Sequence, residues 1–453
     1  MSATGTSTLR AALAAALGAA EPASALRPYL PPPPPGRIVV VGAGKAAAAM
    51  ARAVEDAYAP DVPLGGVVVT RYGHAAPTRR VAVLEGAHPV PDAAGAAATA
   101  GIRRLVAGAG ADDLVLFLVS GGGSALLCAP EGLSLEEKAE TTAALLRGGA
   151  DIRRINAVRK HLSAVKGGRL AAVCRAPLLA LAVSDVVGDD PGTIASGPTV
   201  ADATTFADAL AALDEFAPQA AAARRALEAG LRGRRPETPK PGDPRLAGAR
   251  YELVASGALA VAAAAARLEA EGVAVAMADA TVTGDSTAVA RRQAREVAAA
   301  LALGGWDGPV AFVYGGETTV ARDSREAATA EDGAHSVGAA RGPVAGTAPA
   351  GPVPARGGPN GEWALAFVAA LGRSDYWLLA VDTDGLDGAS AAAGALLTPE
   401  ALARLTPEGI ERALRTHDSH GLLDEVGGLL VTGPTRTNVN ALRVVLFPRS
   451  RPS

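Results

Sequence analysis

Ile38-Val39-Val40-Val41-Gly42-Ala43-Gly44-Lys45-Ala46-Ala47 decides how this chain folds. A β-branched run breaks at two glycines and passes straight into an alanine-rich stretch, the strand–turn–helix opening of an α/β unit. Outward from it, short Val/Leu/Ile runs at 37–41, 66–70, 113–119 and 177–183 alternate with Ala-rich, charge-dotted segments of helical length. That alternation predicts an α/β protein whose N-terminal domain is a doubly wound, Rossmann-like parallel sheet. With 453 residues there is chain for two domains. The break at Pro236, Pro239, Pro241 and Pro244 divides them into 1–240 and 241–453. Residues 323–358, dense in Ala, Gly, Pro and Ser, read as a mobile insertion, and the five prolines at 31–35 as a stiff spacer.

Composition excludes several classes of function. Lys plus Arg is 43 against 46 for Asp plus Glu, a formal charge of -3, so no basic excess exists to neutralise a nucleic-acid backbone. The apolar run 114–130 is interrupted by Ser120-Gly121-Gly122-Gly123-Ser124 and is too short for a membrane helix, so no membrane partner is expected. Residues 11–25 faintly imitate a signal peptide, but Leu9, Leu13 and Leu17 recur at the spacing of a soluble helix. Two cysteines, Cys128 and Cys174, are expected as buried thiols in a cytoplasmic protein.

Ligands of such sheets bind beyond the carboxyl ends of the strands, so the junctions carry the chemistry. At the first, Gly42 and Gly44 permit a tight turn, and the first N–H groups of the following helix are expected to face an anion, with Lys45 beside them. The turn fits a dinucleotide fingerprint, yet the next strand ends in Thr70-Arg71 instead of an acid. At the second, Ser120, Gly121, Gly122, Gly123 and Ser124 make a nest of backbone donors for an oxyanion; the Gly-x-Ser-x-Gly elbow of a serine hydrolase is missing. Residues 155–169 read as a helix with Arg159, Ser163 and Lys166 on one face, either a solvated stripe or a clamp for carboxylate or phosphate. Asp185, Asp189 and Asp190 gather after a strand, where Mg2+ would bridge phosphate oxygens; Asp190 equally suits a helix cap before Pro191. His88 fits a general base or a polar turn residue. In the second half, Gly315-Gly316-Glu317-Thr318-Thr319 and Asp382-Thr383-Asp384-Gly385-Leu386-Asp387-Gly388 read as two Gly-plus-acid loops.

Together these pieces resemble the glycerate 2-kinase family, two-domain kinases with a C-terminal module called MOFRL. The matching stretches are Val41-Gly42-Ala43-Gly44-Lys45, His88-Pro89-Val90-Pro91-Asp92, 120–127, 155–171, 184–199, 315–320, 383–388, Thr432-Gly433-Pro434-Thr435 and Thr437-Asn438-Val439-Asn440. The resemblance implies a C-terminal α/β MOFRL domain. It also implies transfer of the ATP γ-phosphoryl group to the 2-hydroxyl of D-glycerate or a related sugar acid, with Mg2+. On that footing Lys45, Asp185 and Arg356 are the expected catalytic residues. Gly42, Gly44, Ser120, Gly121, Gly122, Gly123, Ser124, Glu317 and Asn360 are the expected phosphate and nucleotide ligands. His88, Arg159 and Lys166 would hold the acceptor; Asp185, Asp189, Asp190, Asp382 and Asp384 would hold the metal. Where the family usually reads Gly-Gly-Arg-Asn-Gln-Glu this chain has Gly357-Gly358-Pro359-Asn360-Gly361-Glu362, and Arg356 is expected to stand in for the cation absent at Pro359. Two other classes stay open: an NAD(P)H-dependent hydroxypyruvate reductase, with Arg71 on a 2'-phosphate, and a non-catalytic nucleotide or sugar-acid binder. The sequence leaves the oligomeric state open.

Overall fold

The computed structural model describes residues 2–320, 356–388, 391–433, 435 and 437–448, so most of the expected insertion, 323–355, lies outside the described residues. The chain forms two compact units. An N-terminal unit comprises Ala16–Ala260 with Arg436–Asn440, and a C-terminal unit comprises Met1–Ala15, Val261–Thr435 and Ala441–Ser453.

The N-terminal unit is built on six parallel strands: β1 (Ile38–Ala43), β2 (Leu64–Arg71), β3 (Val81–Gly86), β4 (Leu114–Val119), β5 (Leu178–Val183) and β6 (Ala249–Ala255). Their order across the sheet is β3-β2-β1-β4-β5-β6. Every residue of β1, β4 and β5 is buried, which is why they appear in the sequence as unbroken apolar runs. β3 escapes such a reading because it is an edge strand with exposed Ala82 and Leu84 and intermediate Val83 and Glu85. β6 lies beyond the proline-rich stretch and pairs with β5, so the N-terminal sheet continues past residue 240 and the units divide at Ala260, inside the helix Gly257–Ala270. The order reverses between β1 and β4, and this switch point is where the fold opens a crevice for a ligand.

The C-terminal unit carries a mixed sheet of β7 (Ala274–Asp285), β8 (Val310–Thr319), β9 (Trp377–Asp382), β10 (Gly394–Leu397), β11 (Leu429–Leu430) and β12 (Ala441–Phe447), ordered β11-β10-β9-β12-β8-β7. The expected loop 315–319 is instead the end of β8, held because β12 runs antiparallel to it with Ala441 opposite Gly316. The helix Pro359–Leu371 is buried from Asn360 through Val368, and Trp363 and Phe367 stack at 4.9 Å in the core.

The helix Ser2–Ala19 forms as its leucine spacing requires, with Leu9 and Leu13 buried. Cys128 is buried, whereas Cys174 is only half-buried, against expectation. Among the described residues, no helix is long and apolar enough to cross a membrane.

A Cβ at Gly42 would run into the Leu118 carbonyl on β4, a backbone group with nowhere to move. Gly42→Ala should therefore cost about 1–3 kcal/mol of stability by overpacking, seen as a lower urea midpoint at unchanged slope; an unmoved midpoint contradicts the close β1–β4 approach.

Candidate functional site

The two turns at the switch point are tied to each other. Ser120 N–H donates to Ala43 O (3.2 Å), Lys45 N–H to Gly121 O (2.8 Å), and Ala46 N–H to the Ser120 hydroxyl (3.0 Å). Gly44 N–H donates to Val69 O and Ala47 N–H to Gly44 O. The first turn therefore spends its own donors inside the protein. Gly42 and Gly44 shape a close approach and offer no cradle at the start of the helix Ala47–Ala57, correcting the expectation for them. Ser120 is corrected as well: it is buried, and its oxygen caps that helix.

The donors that remain are in the second turn. The N–H groups of Gly121 and Gly122 have no hydrogen-bond partner among the described residues, and Gly122 adopts the left-handed conformation (φ 80°) of a nest. Side chains converge on this pair of amides. A Cβ on Gly121 would overlap the Asp185 carboxylate, and the Cβ position of Gly122 lies 3.0 Å from His88 Cδ2 and 3.5 Å from Lys45 Cγ. Burial, then the Lys45, Arg71 and His74 charges, push His88 down to about 4, so it is a neutral imidazole at pH 7 in a cationic surrounding. The Asn440 side-chain amide donates to Asp185 O (2.8 Å) and holds that loop; the sequence marked its stretch only as part of the family resemblance and gave it no role at the site.

Behind the nest lies a polar chain. Ser124 Oγ is 3.0 Å from Ser196 Oγ, and Ser196 donates to Asn156 Oδ1 (3.0 Å). Ala195 and Ser196 hold positive φ (51° and 62°), a cost that non-glycine residues carry mostly at functional loops. The expected helix over 155–169 ends at His161, so Ser163 and Lys166 lie beyond it. Lys166 is not on a surface stripe: it is fully buried and donates to Ala195 O (3.1 Å). Arg159 remains on the helix and is partly buried.

Asp190 accepts from Gly192 N–H (3.0 Å) and the Thr193 hydroxyl (2.7 Å) within a turn; no helix begins at Pro191, since the next helical segment, Ile194–Ser196, follows Thr193, and Asp189 sits in left-handed backbone (φ 54°). Among the described residues no three His, Cys, Asp or Glu side chains are grouped to hold a metal ion, so neither acidic set forms a ready-made site.

In the C-terminal unit the acids serve the fold. Asp387, fully buried, accepts from Asn360 N–H (2.9 Å), Gly361 N–H (2.8 Å) and His420 Nε2 (3.0 Å), capping the helix Pro359–Leu371 from outside. Asn360 is thereby buried, its Oδ1 taking Arg443 Nε (3.0 Å), which is a scaffold position and not an exposed phosphate ligand. Arg443 also donates to Thr318 (2.8 Å) and lies 5.4 Å from the Trp363 ring centre; burial brings it down to about 10 against the pull of Asp387 and Asp382. Burial, with Asp384 and Asp387 adding, pushes Asp382 up to about 8; Asp384 accepts from Leu386 N–H (2.9 Å). Glu317 is exposed near the end of β8.

Comparison with known proteins places this architecture. A domain of unknown function (DUF4147) matches residues 8–229, and the MOFRL family matches residues 344–441. Glycerate 2-kinase of Pyrococcus horikoshii is 36% identical over 92% of this chain and 88% of its own. The crystal structure of a glycerate kinase from Thermotoga maritima is 33% identical, covers 97% of this chain and 99% of its own, and aligns with a TM-score of 0.79. The chain belongs to the glycerate kinase family. An Agrobacterium vitis relative, 44% identical over 97% of this chain and 94% of its own, is called a putative hydroxypyruvate reductase.

In this glycerate kinase family member, Pro359 takes the first helical position after Gly358, where a missing N–H costs nothing. The Arg356 guanidinium is exposed and pairs with Asp418 (3.5 Å), which caps the helix Ser419–Glu425.

The His88 environment sets a pH dependence. A histidine with its folded pKa lowered to about 4 from 6.5 leaves the unfolded chain binding more protons between those values, so stability falls as pH drops through that window. Thermal melts should show the wild type losing more stability than His88→Gln between pH 6.5 and 4, with parallel curves above pH 7. Parallel curves throughout would contradict a buried, neutral His88.

Proposed function

We propose that this protein is a glycerate 2-kinase, transferring the γ-phosphoryl group of ATP to the 2-hydroxyl of D-glycerate to give 2-phosphoglycerate and ADP. The observation that carries the reading is the convergence of Lys45, His88 and Asp185 on the two unspent amides of Gly121 and Gly122. Phosphoryl transfer needs little covalent help from a protein; it needs oxygens held in line and charge met as it spreads. The Gly121 and Gly122 amides would hold phosphate oxygens, and the Lys45 ammonium would meet their charge. The acceptor 2-hydroxyl oxygen bonds to the γ-phosphorus as the bond to the ADP oxygen breaks, and the hydroxyl proton leaves to solvent. His88, being neutral, can orient that hydroxyl by a hydrogen bond without adding charge.

A lone carboxylate beside phosphate oxygens is the donor set Mg2+ favours, since this ion keeps most of its ligands as water and phosphate. Asp185, lying against Gly121, would hold it, and the ion would supply further neutralisation of the phosphates. Asp189, Asp190, Asp382 and Asp384 are not needed in this reading, and Arg356, paired with Asp418, is given no step.

The relative called a putative hydroxypyruvate reductase and the β3-β2-β1-β4-β5-β6 order keep reductase chemistry in view. Two features count against it. The first turn spends the N–H groups that a dinucleotide pyrophosphate would require, and β2 ends at Arg71 where a ribose needs an acid.

The deciding assay supplies Mg-ATP and D-glycerate and identifies the product, beside hydroxypyruvate with NADH or NADPH. Formation of 2-phosphoglycerate is expected, with Lys45→Ala lowering kcat by at least about 100-fold, the scale of losing one preorganised charge-stabilising donor. Oxidation of the reduced nicotinamide without phosphoryl transfer would overturn the kinase in favour of the reductase.

A further inference from the structure

Three cations of the N-terminal unit, two buried and one partly buried, act electrostatically on one another, and the sequence singled out only two of them. Lys138, on the helix Leu135–Arg147, is 5% exposed, and its ammonium donates to the Cys128 sulfur (3.3 Å), a weak acceptor. Lys166 is fully buried and bonded to a neutral carbonyl, Ala195 O. Arg159 is partly buried on the helix Ile152–His161. None of the three forms an ion pair with a described carboxylate, whereas their neighbour Lys160 does, with Asp202 at 3.2 Å. Beside them, Asn156 is 3% exposed and its Nδ2 has no partner, although its Oδ1 is bonded to Ser196.

Buried cations without counter-charge are costly, and so is a buried amide without an acceptor. Burial holds the Lys138, Lys166 and Arg159 groups below their ordinary ranges, and for Lys166 the Lys138 and Arg159 charges add to that effect. A single guest would relieve all four defects: an anion with several acceptor oxygens. We propose that Lys138, Arg159, Lys166 and the Asn156 amide form one buried subsite for a small oxyanion, a carboxylate or a phosphate group. Ser124 and Arg159, both partly exposed, lie at its mouth, and the Ser124–Ser196 pair links it to the glycine nest. It rests on the kinase reading only for the identity of the guest: the acceptor's carboxylate or a phosphate of the nucleotide. A carboxylate guest would confine acceptors to hydroxy acids and exclude neutral polyols.

The test compares wild type, Lys138→Met and Lys138→Arg in two measurements. In steady-state kinetics, Lys138→Met should raise KM for D-glycerate at least about tenfold, with Lys138→Arg recovering most of the loss. If KM for ATP rises instead, the guest is a nucleotide phosphate. In thermal shift, D-glycerate or inorganic phosphate should stabilise the wild type more than Lys138→Met, which keeps only the glycine nest. Unchanged constants with equal stabilisation of both proteins would overturn the subsite while leaving the kinase standing. A wild type without phosphoryl transfer that is still stabilised in a Lys138-dependent way would overturn the kinase reading and keep the subsite. No stabilisation of the wild type by either anion would overturn it outright. If Lys138→Met does not fold, Asn156→Asp, which sets a negative charge in the same volume, should weaken anion stabilisation; full retention of the wild-type shift contradicts the proposal.

Discussion

Two hydrogen bonds, from Lys45 N–H to Gly121 O and from Ala46 N–H to Ser120 Oγ, knit the ends of β1 and β4 together, and the N-terminal unit is arranged around them. The turns can meet only if neither carries bulk at the contact. A Cβ on Gly42 or Gly44 would strike Leu118 or Ser120, and one on Gly121 would strike Asp185. With the first turn's amides consumed by this seam, the second of the two turns keeps donors for a ligand. The glycines thus divide into two kinds, those that let backbones touch and those that hold an anion.

Charge follows the same seam. Lys45 and His88 lie against the nest, and burial, with the Lys45, Arg71 and His74 charges adding, keeps His88 neutral; Lys138, Arg159 and Lys166 are the further cations of this unit. Asp185 is the carboxylate in contact with the nest. In the C-terminal unit the logic is reversed: Asp387, Asn360, His420, Arg443 and Thr318 satisfy one another in a buried network that fixes the start of one helix against the sheet. A network of that kind specifies the packing of its unit, and removing one member leaves a buried charge alone.

Much of this was legible in the sequence because its signals are local. Unbroken apolar runs gave away β1, β4 and β5, and glycine clusters marked both turns. What escaped depends on contacts between distant residues. β3 has the mixed pattern of an edge, and β6 joins its sheet only through β5. The periodicity of 155–169 persists past His161, yet Gly167 and Gly168 in left-handed backbone belong to a turn that buries Lys166. Asn360 and the acids of 382–387 looked like ligands because polar loops and polar scaffolds have the same composition. Arg443, a lone charge in the apolar strand Ala441–Phe447, was a signal available in the sequence; Asn440 lay in a stretch that carries the family resemblance but had no role assigned, and Lys138 carried no signal.

The central claim is that the Gly121 amide, with the Asp185 carboxylate packed against its Cα, is the working centre of the molecule. Gly121→Ala tests it directly, because the added methyl meets the carboxylate end of a side chain and not a rigid backbone. With kcat and melting temperature measured on the same preparation, the account predicts a melting temperature within a few degrees of wild type and turnover reduced more than about 100-fold, the cost of misplacing a site by an ångström. Wild-type turnover in the folded variant would contradict it.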